Sequence, residues 1–226
     1  MAEVLAKRES SAAARGEDTR ERLIEAAIRI FGELGFKGAS TRMLADAAGA
    51  NLAAIPYHFG NKEGLYRAAA EFIVERCGRD ILPTLEKIDI ALAGKKLARP
   101  DALALLHQLL ERFSAIVIGS ELSDTFASFV MREQLQPGAA FEILYQGMMR
   151  QLMASCAKLL AIASGRSSDD TRTLIRAQTL PGQILVFRTS RASVLRQLGW
   201  REFSKEQLKL IQSIVAENVD RIVAGK

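Results

Sequence analysis

An all-α fold is predicted by three features of this 226-residue chain. Apolar residues recur at spacings of three and four in run after run, the period of a helix with one buried face. No run alternates with the two-residue period of a strand. Hydrophobic residues make up 49% of the chain with only 5 prolines and 16 glycines, a balance that suits helices packed on a sizeable core.

The chain opens on residues 1–17, rich in Ala, Ser and mixed charge and without sustained period, which reads as a disordered tail. Lys7, Arg8 and Arg15 could make it a basic arm for a minor groove; a solvated tail is the alternative. Asp18 or Thr19 can start the first helix. Leu23, Ala27, Ile28, Phe31 and Leu34 then share one face, Gly35 stops it, and Phe36 can fold back onto the core.

The next stretch, Ser40 to Leu65, has the pattern of a helix-turn-helix running into a third helix. Ser40 is a good N-cap. Leu44, Ala45 and Ala48 form a short apolar stripe whose alanines allow close approach of a second helix, and Gly49 ends it. Asn51 can cap a second helix, Leu52 to about Phe59, with Leu52, Ile55 and Phe59 inward and Ala53, Ala54, Tyr57 and His58 outward. A second helix so placed enters the major groove in DNA-binding proteins. Ala53 and Ala54 would let the backbone near base edges, and Tyr57 could touch a thymine methyl. Asn61 caps the following helix, whose first-turn Lys62 suits a phosphate. The residues expected on DNA are Thr41, Arg42, Asn51, Ala53, Ala54, Tyr57, His58 and Lys62. On spacing alone, an ordinary helix pair in an all-α core fits equally well.

Gly35, Phe36, Ser40, Thr41, Leu44, Ala45, Ala48, Gly49, Ile55, Tyr57, His58, Phe59, Lys62, Glu63 and Leu65 stand in the order found in TetR/AcrR-type transcriptional regulators, and the stretch resembles their DNA-binding domain. The resemblance implies DNA contacts from Thr41, the second helix and Lys62. Pro56 departs from the aromatic common there. A proline removes an N–H and crowds the carbonyl of Leu52, so the helix is expected to be kinked or short.

The helix after Asn61 carries Leu65, Ala69, Phe72 and Ile73 and is expected to link head to body over 62–79. Pro83 and Gly94-Lys95-Lys96 suggest a short helix and a loop. Helices are expected from Asp101, with Leu103, Leu106, Leu110, Phe113 and Val117 on one face, and from Asp124 to Pro137-Gly138. A long helix should follow over about 139–163, then a helical region over about 169–198 interrupted at Pro181-Gly182. Ser204 opens the last helix. The segments VMREQLQPGAAFEILYQGMMR and GQILVFRTSRASVLRQLGW are similar to the CecR-like C-terminal domain carried by some of these regulators. Three regions are therefore expected: the tail, a helix-turn-helix domain over 18–66 and an effector-binding and dimerisation domain over 80–226.

The family resemblance implies a homodimer paired through two long helices, for which 139–163 and 170–198 are the candidates, spacing two recognition helices about 34–36 Å apart on a palindromic operator. It also implies a repressor released by a small-molecule effector bound in the body. His107, Phe113, Phe129, Met131, Glu133 and Tyr145 are the candidate effector contacts. A buried Glu133 needs a partner, which Arg132 could supply; core packing or a structural ion pair is the alternative role for the set. Arg172, Arg176, Arg188, Arg191, Arg196 and Arg201 fall in a stretch without an acid, which could attract an anionic effector or acids of a second subunit, or lie solvated.

The net charge of +5 permits nucleic-acid binding without demanding it. Cys77 and Cys156 lack metal-ligand spacing and read as reduced thiols of a cytoplasmic protein. Two histidines, no phosphate-cradling glycine loop and no nucleophile motif argue against an enzyme; no cofactor and no metal are expected. No stretch approaches the roughly 18 continuous apolar residues of a membrane span. A helical protein-binding adaptor is the alternative to a DNA-binding regulator.

Overall fold

A computed structural model describes residues 2–94, 96–119 and 123–225, with side chains at 16–94, 96–119 and 124–225. Its elements are α1 (Ala2–Gly38), α2 (Thr41–Ala47), α3 (Ala54–Phe59), α4 (Lys62–Ala93), α5 (Arg99–Gly119), α6 (Ser123–Leu135), α7 (Phe141–Leu144), a π-helical segment (Tyr145–Met149), α8 (Arg150–Ser164), α9 (Thr171–Thr189), α10 (Arg191–Leu198) and α11 (Lys205–Ala224). Among the described residues there is no strand. The chain divides into two compact units. The head unit holds Met1–Val74 and Asp124–Leu144; the body unit holds Glu75–Ser123 and Tyr145–Lys226. This division differs from the expected 18–66 and 80–226, because segment 124–144 belongs with the head. Periodicity shows that α6 has a buried face. It does not show which core takes that face.

In the head unit, α1 is helical from Ala2, well before the expected start at Asp18 or Thr19, so the stretch expected to be a disordered tail is helical backbone. Alanine is the strongest helix former, and residues 2–17 hold many alanines between charges. The proposed roles of Lys7, Arg8 and Arg15 lie outside the described side chains. Leu23, Ala27, Ile28 and Phe31 are buried as expected, but Leu34 is exposed. Gly35 departs from helical geometry at φ 74 and turns the chain. Phe36 then folds inward, its ring 6.0 Å from that of Phe31 and 5.1 Å from that of Tyr66. From α6, Phe129 lies 5.0 Å from Tyr66, and Phe126 lies edge-on to Phe72 at 6.3 Å.

The body unit is built on α5, α8, α9 and α11 with the later turns of α4. Leu106 and Leu109 of α5, Cys156, Leu159 and Leu160 of α8, Leu180 and Ile184 of α9, and Val215 and Val219 of α11 are all essentially sealed from water. Two expected breaks are absent. Helix α4 continues through Pro83 to Ala93, past the expected end near Arg79. An interior proline costs about 3 kcal/mol, whereas Ile81, Leu85 and Ile88 are all buried and each contributes about 1.5–3 kcal/mol. Helix α9 likewise runs through Pro181-Gly182, and the chain divides instead at Ser190. The single helix expected over 139–163 is interrupted by the π-helical segment. Ser204 and Gln207 form a reciprocal capping box at the start of α11. By length and composition α5 could cross a bilayer, yet Leu105, Leu106, Leu109 and Leu110 are in the core of the body unit.

Candidate nucleic-acid interface

Helix α2 starts as its sequence dictates: Oγ of Ser40 accepts from the Met43 N–H at 3.2 Å. Leu44 and Ala45 are buried. Gly49 takes φ 58 at the turn, a conformation that glycine adopts without strain. The turn is held from outside by a residue the sequence did not single out. Arg22 of α1 donates from Nη1 to the carbonyl of Ala48 at 2.7 Å and to that of Gly49 at 3.3 Å. Its other nitrogens bond Asp18 at 3.1 Å and Thr19 at 3.2 Å. A cation at a helix C-terminus satisfies carbonyls that have no amide partner. Arginine at position 22, on the polar side of α1, was the available signal.

The second helix begins at Ala54, not Leu52. Asn51 caps the preceding turn instead, its Oδ1 accepting from the Ala53 N–H at 2.9 Å. Leu52, expected inward, is exposed, and Phe59 is half-buried. The later start resolves Pro56. It occupies the third helical position, whose N–H has no intrahelical acceptor, so the proline interrupts nothing and the helix is short without being kinked. The carbonyl of Leu52 accepts from Ile55 N–H at 3.4 Å. Ile55 is 1% exposed and Tyr57, two residues on, is 83% exposed.

Of the residues expected on DNA, Arg42, Asn51, Ala53 and Tyr57 are exposed, while Thr41, Ala54 and His58 are half-buried. His58 has its ring 4.8 Å from Tyr57 and 6.0 Å from Phe59. A methyl placed on Gly16 would lie 3.9 Å from the His58 ring, so α1 passes beside α3. Arg20 of α1 covers the Phe59 ring at 5.6 Å. The resulting surface offers a phenol, small side chains and an amide, which suit base edges and a thymine methyl.

Lys62 is half-buried. Its Nζ donates to the Ala39 carbonyl at 2.8 Å and lies 4.3 Å from the centre of the Phe36 ring. Asn61 caps α4 as expected, accepting from Gly64 N–H at 2.8 Å. Gly64 is required sterically: a Cβ there would fall 1.9 Å from the Phe59 carbonyl oxygen.

The six candidate effector residues are split between the units, so neither unit holds them as one site. Phe129 is buried in the head core, and Met131 is half-buried in the same unit. Glu133, 2% exposed, is fully engaged within the head unit. It accepts from the Tyr66 hydroxyl at 2.5 Å and from Gly138 N–H at 3.1 Å. Burial, then this bond, pushes the Tyr66 phenol far above its ordinary range. Arg132 does not pair with Glu133; it donates to the carbonyls of Gly32 at 3.2 Å and Glu33 at 2.7 Å. In the body unit, Phe113 is half-buried and Tyr145 exposed. Nε2 of His107 lies 3.0 Å from Asp220 but meets it without hydrogen-bond geometry.

Of the two helices expected to pair subunits, α8 places Leu152, Leu159 and Leu160 in its own core. Helix α9 leaves Leu174, Ile175, Leu185 and Val186 exposed, on the side away from buried Thr173, Ala177, Leu180 and Ile184. Gly182 lies on that outer side with open space over it. Helix α11, joined to α9 by Asn218 and Gln183 at 2.9 Å, exposes Leu210 and Ile214. In the acid-free arginine stretch, Arg172, Arg196 and Arg201 are exposed and Arg191 covers the Phe203 ring at 5.7 Å. Cys77 and Cys156 are both free thiols. Burial pushes Cys156 up to about 12; burial and, after it, Asp80 push Cys77 up to about 11.

Residues 23–69 match the family described as bacterial regulatory proteins, tetR family, and residues 102–226 match the C-terminal domain of the HTH-type transcriptional dual regulator CecR. The chain is 34% identical over 213 residues to the HTH-type transcriptional dual regulator CecR of Shigella flexneri, covering 93% of this chain and 94% of that one. It is 32% identical over 106 residues to the HTH-type nicotine-responsive transcriptional repressor HdnoR of Paenarthrobacter nicotinovorans, covering 47% of this chain and 49% of that one. Its fold is similar to that of AibR, solved with isovaleryl coenzyme A and operator DNA, with a TM-score of 0.62 and 14% identity over 88% of this chain and 96% of that one.

Proposed function

We propose, on the premise that this chain belongs to the TetR family of bacterial regulatory proteins and carries the CecR-type C-terminal domain, that it is a homodimeric repressor released from a palindromic operator by a small-molecule effector. It is a transcriptional regulator and not an enzyme. The observation that carries the reading is the contrast within α3: Ile55 is sealed in the head core while Tyr57 stands 83% exposed two residues later. A short helix anchored on one side and open on the other can enter a major groove. Arg42, Asn51, Ala53 and Tyr57 form the exposed reading surface, with Thr41, Ala54 and His58 at its edges. The uncovered apolar faces of α9 and α11 supply the pairing surface. His107, Phe113 and Tyr145, all from the body unit, remain as effector contacts; Phe129 and Glu133 have structural work in the head. A repressor named as nicotine-responsive among its relatives supports control by a small molecule. The protein works in the cytoplasm, on DNA and without a membrane.

The test is selection of genomic fragments by the purified protein, followed by affinity measurement on the selected duplex. A dissociation constant of about 10⁻⁸ to 10⁻¹¹ M is expected, falling steeply in affinity as salt rises. Genes beside the selected sites then indicate the effector. Failure to retain any duplex at low salt would leave the protein-binding adaptor as the better reading.

A further inference from the structure

We propose that Arg22 and Lys62 are positioning residues for DNA reading: two cationic clamps, made within the chain, that hold the recognition helix from either end. The proposal rests on the assignment of α3 as the reading helix. At six residues α3 cannot hold its own pose; isolated helices shorter than about 12–15 residues are marginal in water. Only Ile55 is fully buried along it, and its N-cap residue, Ala53, has no side-chain cap. Its orientation must come from the segments at its two ends.

At the front, Arg22 grips the Ala48 and Gly49 carbonyls, just before the turn that delivers Asn51. Asp18 and Thr19 fix the same guanidinium from behind. Four acceptors spread around one planar group need the arginine fork, which an ammonium cannot reproduce. At the back, Lys62 is the first residue of α4, and it ties that helix start to Ala39 and the face of Phe36. There is no slack between α3 and α4, because Gly64 sits directly against the Phe59 carbonyl. A shift of either clamp is therefore passed to the reading surface.

Positioning and phosphate contact leave different signatures. Loss of a phosphate ligand weakens binding to every sequence and lowers the salt slope by about one contact. Loss of a positioning residue lowers affinity for the operator while spared phosphate contacts keep non-specific binding. The experiment uses the full chain with Arg22→Lys, Lys62→Met and Lys62→Arg. Each is measured on the selected operator and on a scrambled duplex across a salt series, at a temperature where circular dichroism shows all variants folded. Arg22→Lys keeps the charge, and Lys62→Met keeps an unbranched side chain without the ammonium. Both are expected to lose about tenfold or more on the operator, a loss of about 1.4 kcal/mol or more, and less than about twofold on the scrambled duplex, with the non-specific salt slope unchanged. Lys62→Arg, which can still donate to Ala39 and cover Phe36, should restore most of the operator affinity. Equal loss on both duplexes with a shallower slope for Lys62→Met would make Lys62 a phosphate ligand and overturn its clamp role. Unchanged operator affinity in Arg22→Lys would remove Arg22. If the unsubstituted protein itself shows no preferred duplex, the DNA-reading assignment fails first.

Discussion

The hydroxyl of Tyr66 donates a 2.5 Å hydrogen bond to Oε1 of Glu133, joining α4 to α6 across 67 residues of sequence. The other carboxyl oxygen accepts from Gly138 N–H at 3.1 Å, so a carboxyl 2% exposed is satisfied from two sides. Together with Arg132 on the α1 carbonyls, the bond makes α6 a structural member of the DNA-binding unit.

Tyr66→Phe keeps the ring against Phe31 at 4.7 Å and Phe129 at 5.0 Å and removes only the donor. A buried acceptor left without its partner costs about 1–3 kcal/mol. Urea unfolding of the full chain should show that loss. A change below about 0.5 kcal/mol would mean that the carboxyl finds water or another donor.

Alkaline pH should destabilise the fold. Cys156, Cys77 and Tyr66 are all raised above their ordinary values, the first named cause in each case being burial. Each therefore holds its proton in the folded state at a pH where the unfolded chain has released it. Stability from these groups is fully present below the unfolded-state values near 9 for the thiols and 10 for the phenol, and is lost as pH rises beyond them. Thermal unfolding from pH 7 to 11 should show a midpoint that declines above about pH 9. Cys156→Ala should start lower, for the cavity it leaves, but decline less steeply. An identical decline in that variant would acquit the thiol. The same burial should keep Cys156 unreactive to alkylating agents until the protein unfolds.

The helix-turn-helix was legible because local rules govern it. Ser40 and Asn61 are caps set by their own side chains, and the apolar period over Leu44 and Ala45 points one way only. The placement of α6 was not legible. Phe126 and Phe129 announce a buried face, yet the core that receives it depends on long-range packing. Pro83 and Pro181 misled for a related reason: a proline signals local cost, while the burial that offsets it comes from residues far apart in sequence. Leu52 was misplaced, and Pro56 left a kinked and a short helix both open, because each depended on where α3 starts. Lys62 was legible as the first residue of its helix, and only coordinates reveal the carbonyl and ring beside its ammonium.

Neither Pro56 nor its neighbour Tyr57 is expected to carry stability, and Tyr57 is expected to carry DNA affinity. Pro56→Ala restores an N–H that the first turn of α3 cannot use, so stability should change by less than about 0.5 kcal/mol. Tyr57→Ala should leave the unfolding midpoint alone, since the ring is 83% exposed. It should weaken operator binding by about 1–3 kcal/mol, the worth of one good base contact. Operator affinity matching the unsubstituted protein would take Tyr57 off the DNA.

The pairing surface can be tested by charge. Leu174, Ile175, Leu185 and Val186 share the outer face of α9, and neighbouring α11 adds Leu210 and Ile214. Large exposed apolar patches mark association surfaces. Two-fold pairing would bring a residue near the centre of the α9 face close to its own copy. Ile175→Asp and Leu185→Asp together should therefore set like charges against each other in an apolar setting and split the dimer. Neither residue belongs to the body core, so helicity and the monomer fold should survive. Sedimentation should report a dimer for the unsubstituted chain and a monomer for the double variant. A separated subunit keeps its reading helix but loses the second half-site. Binding to a palindrome should then fall to the level of a single half-site, while non-specific binding per subunit is retained. A double variant that still sediments as a dimer would move the pairing surface away from α9.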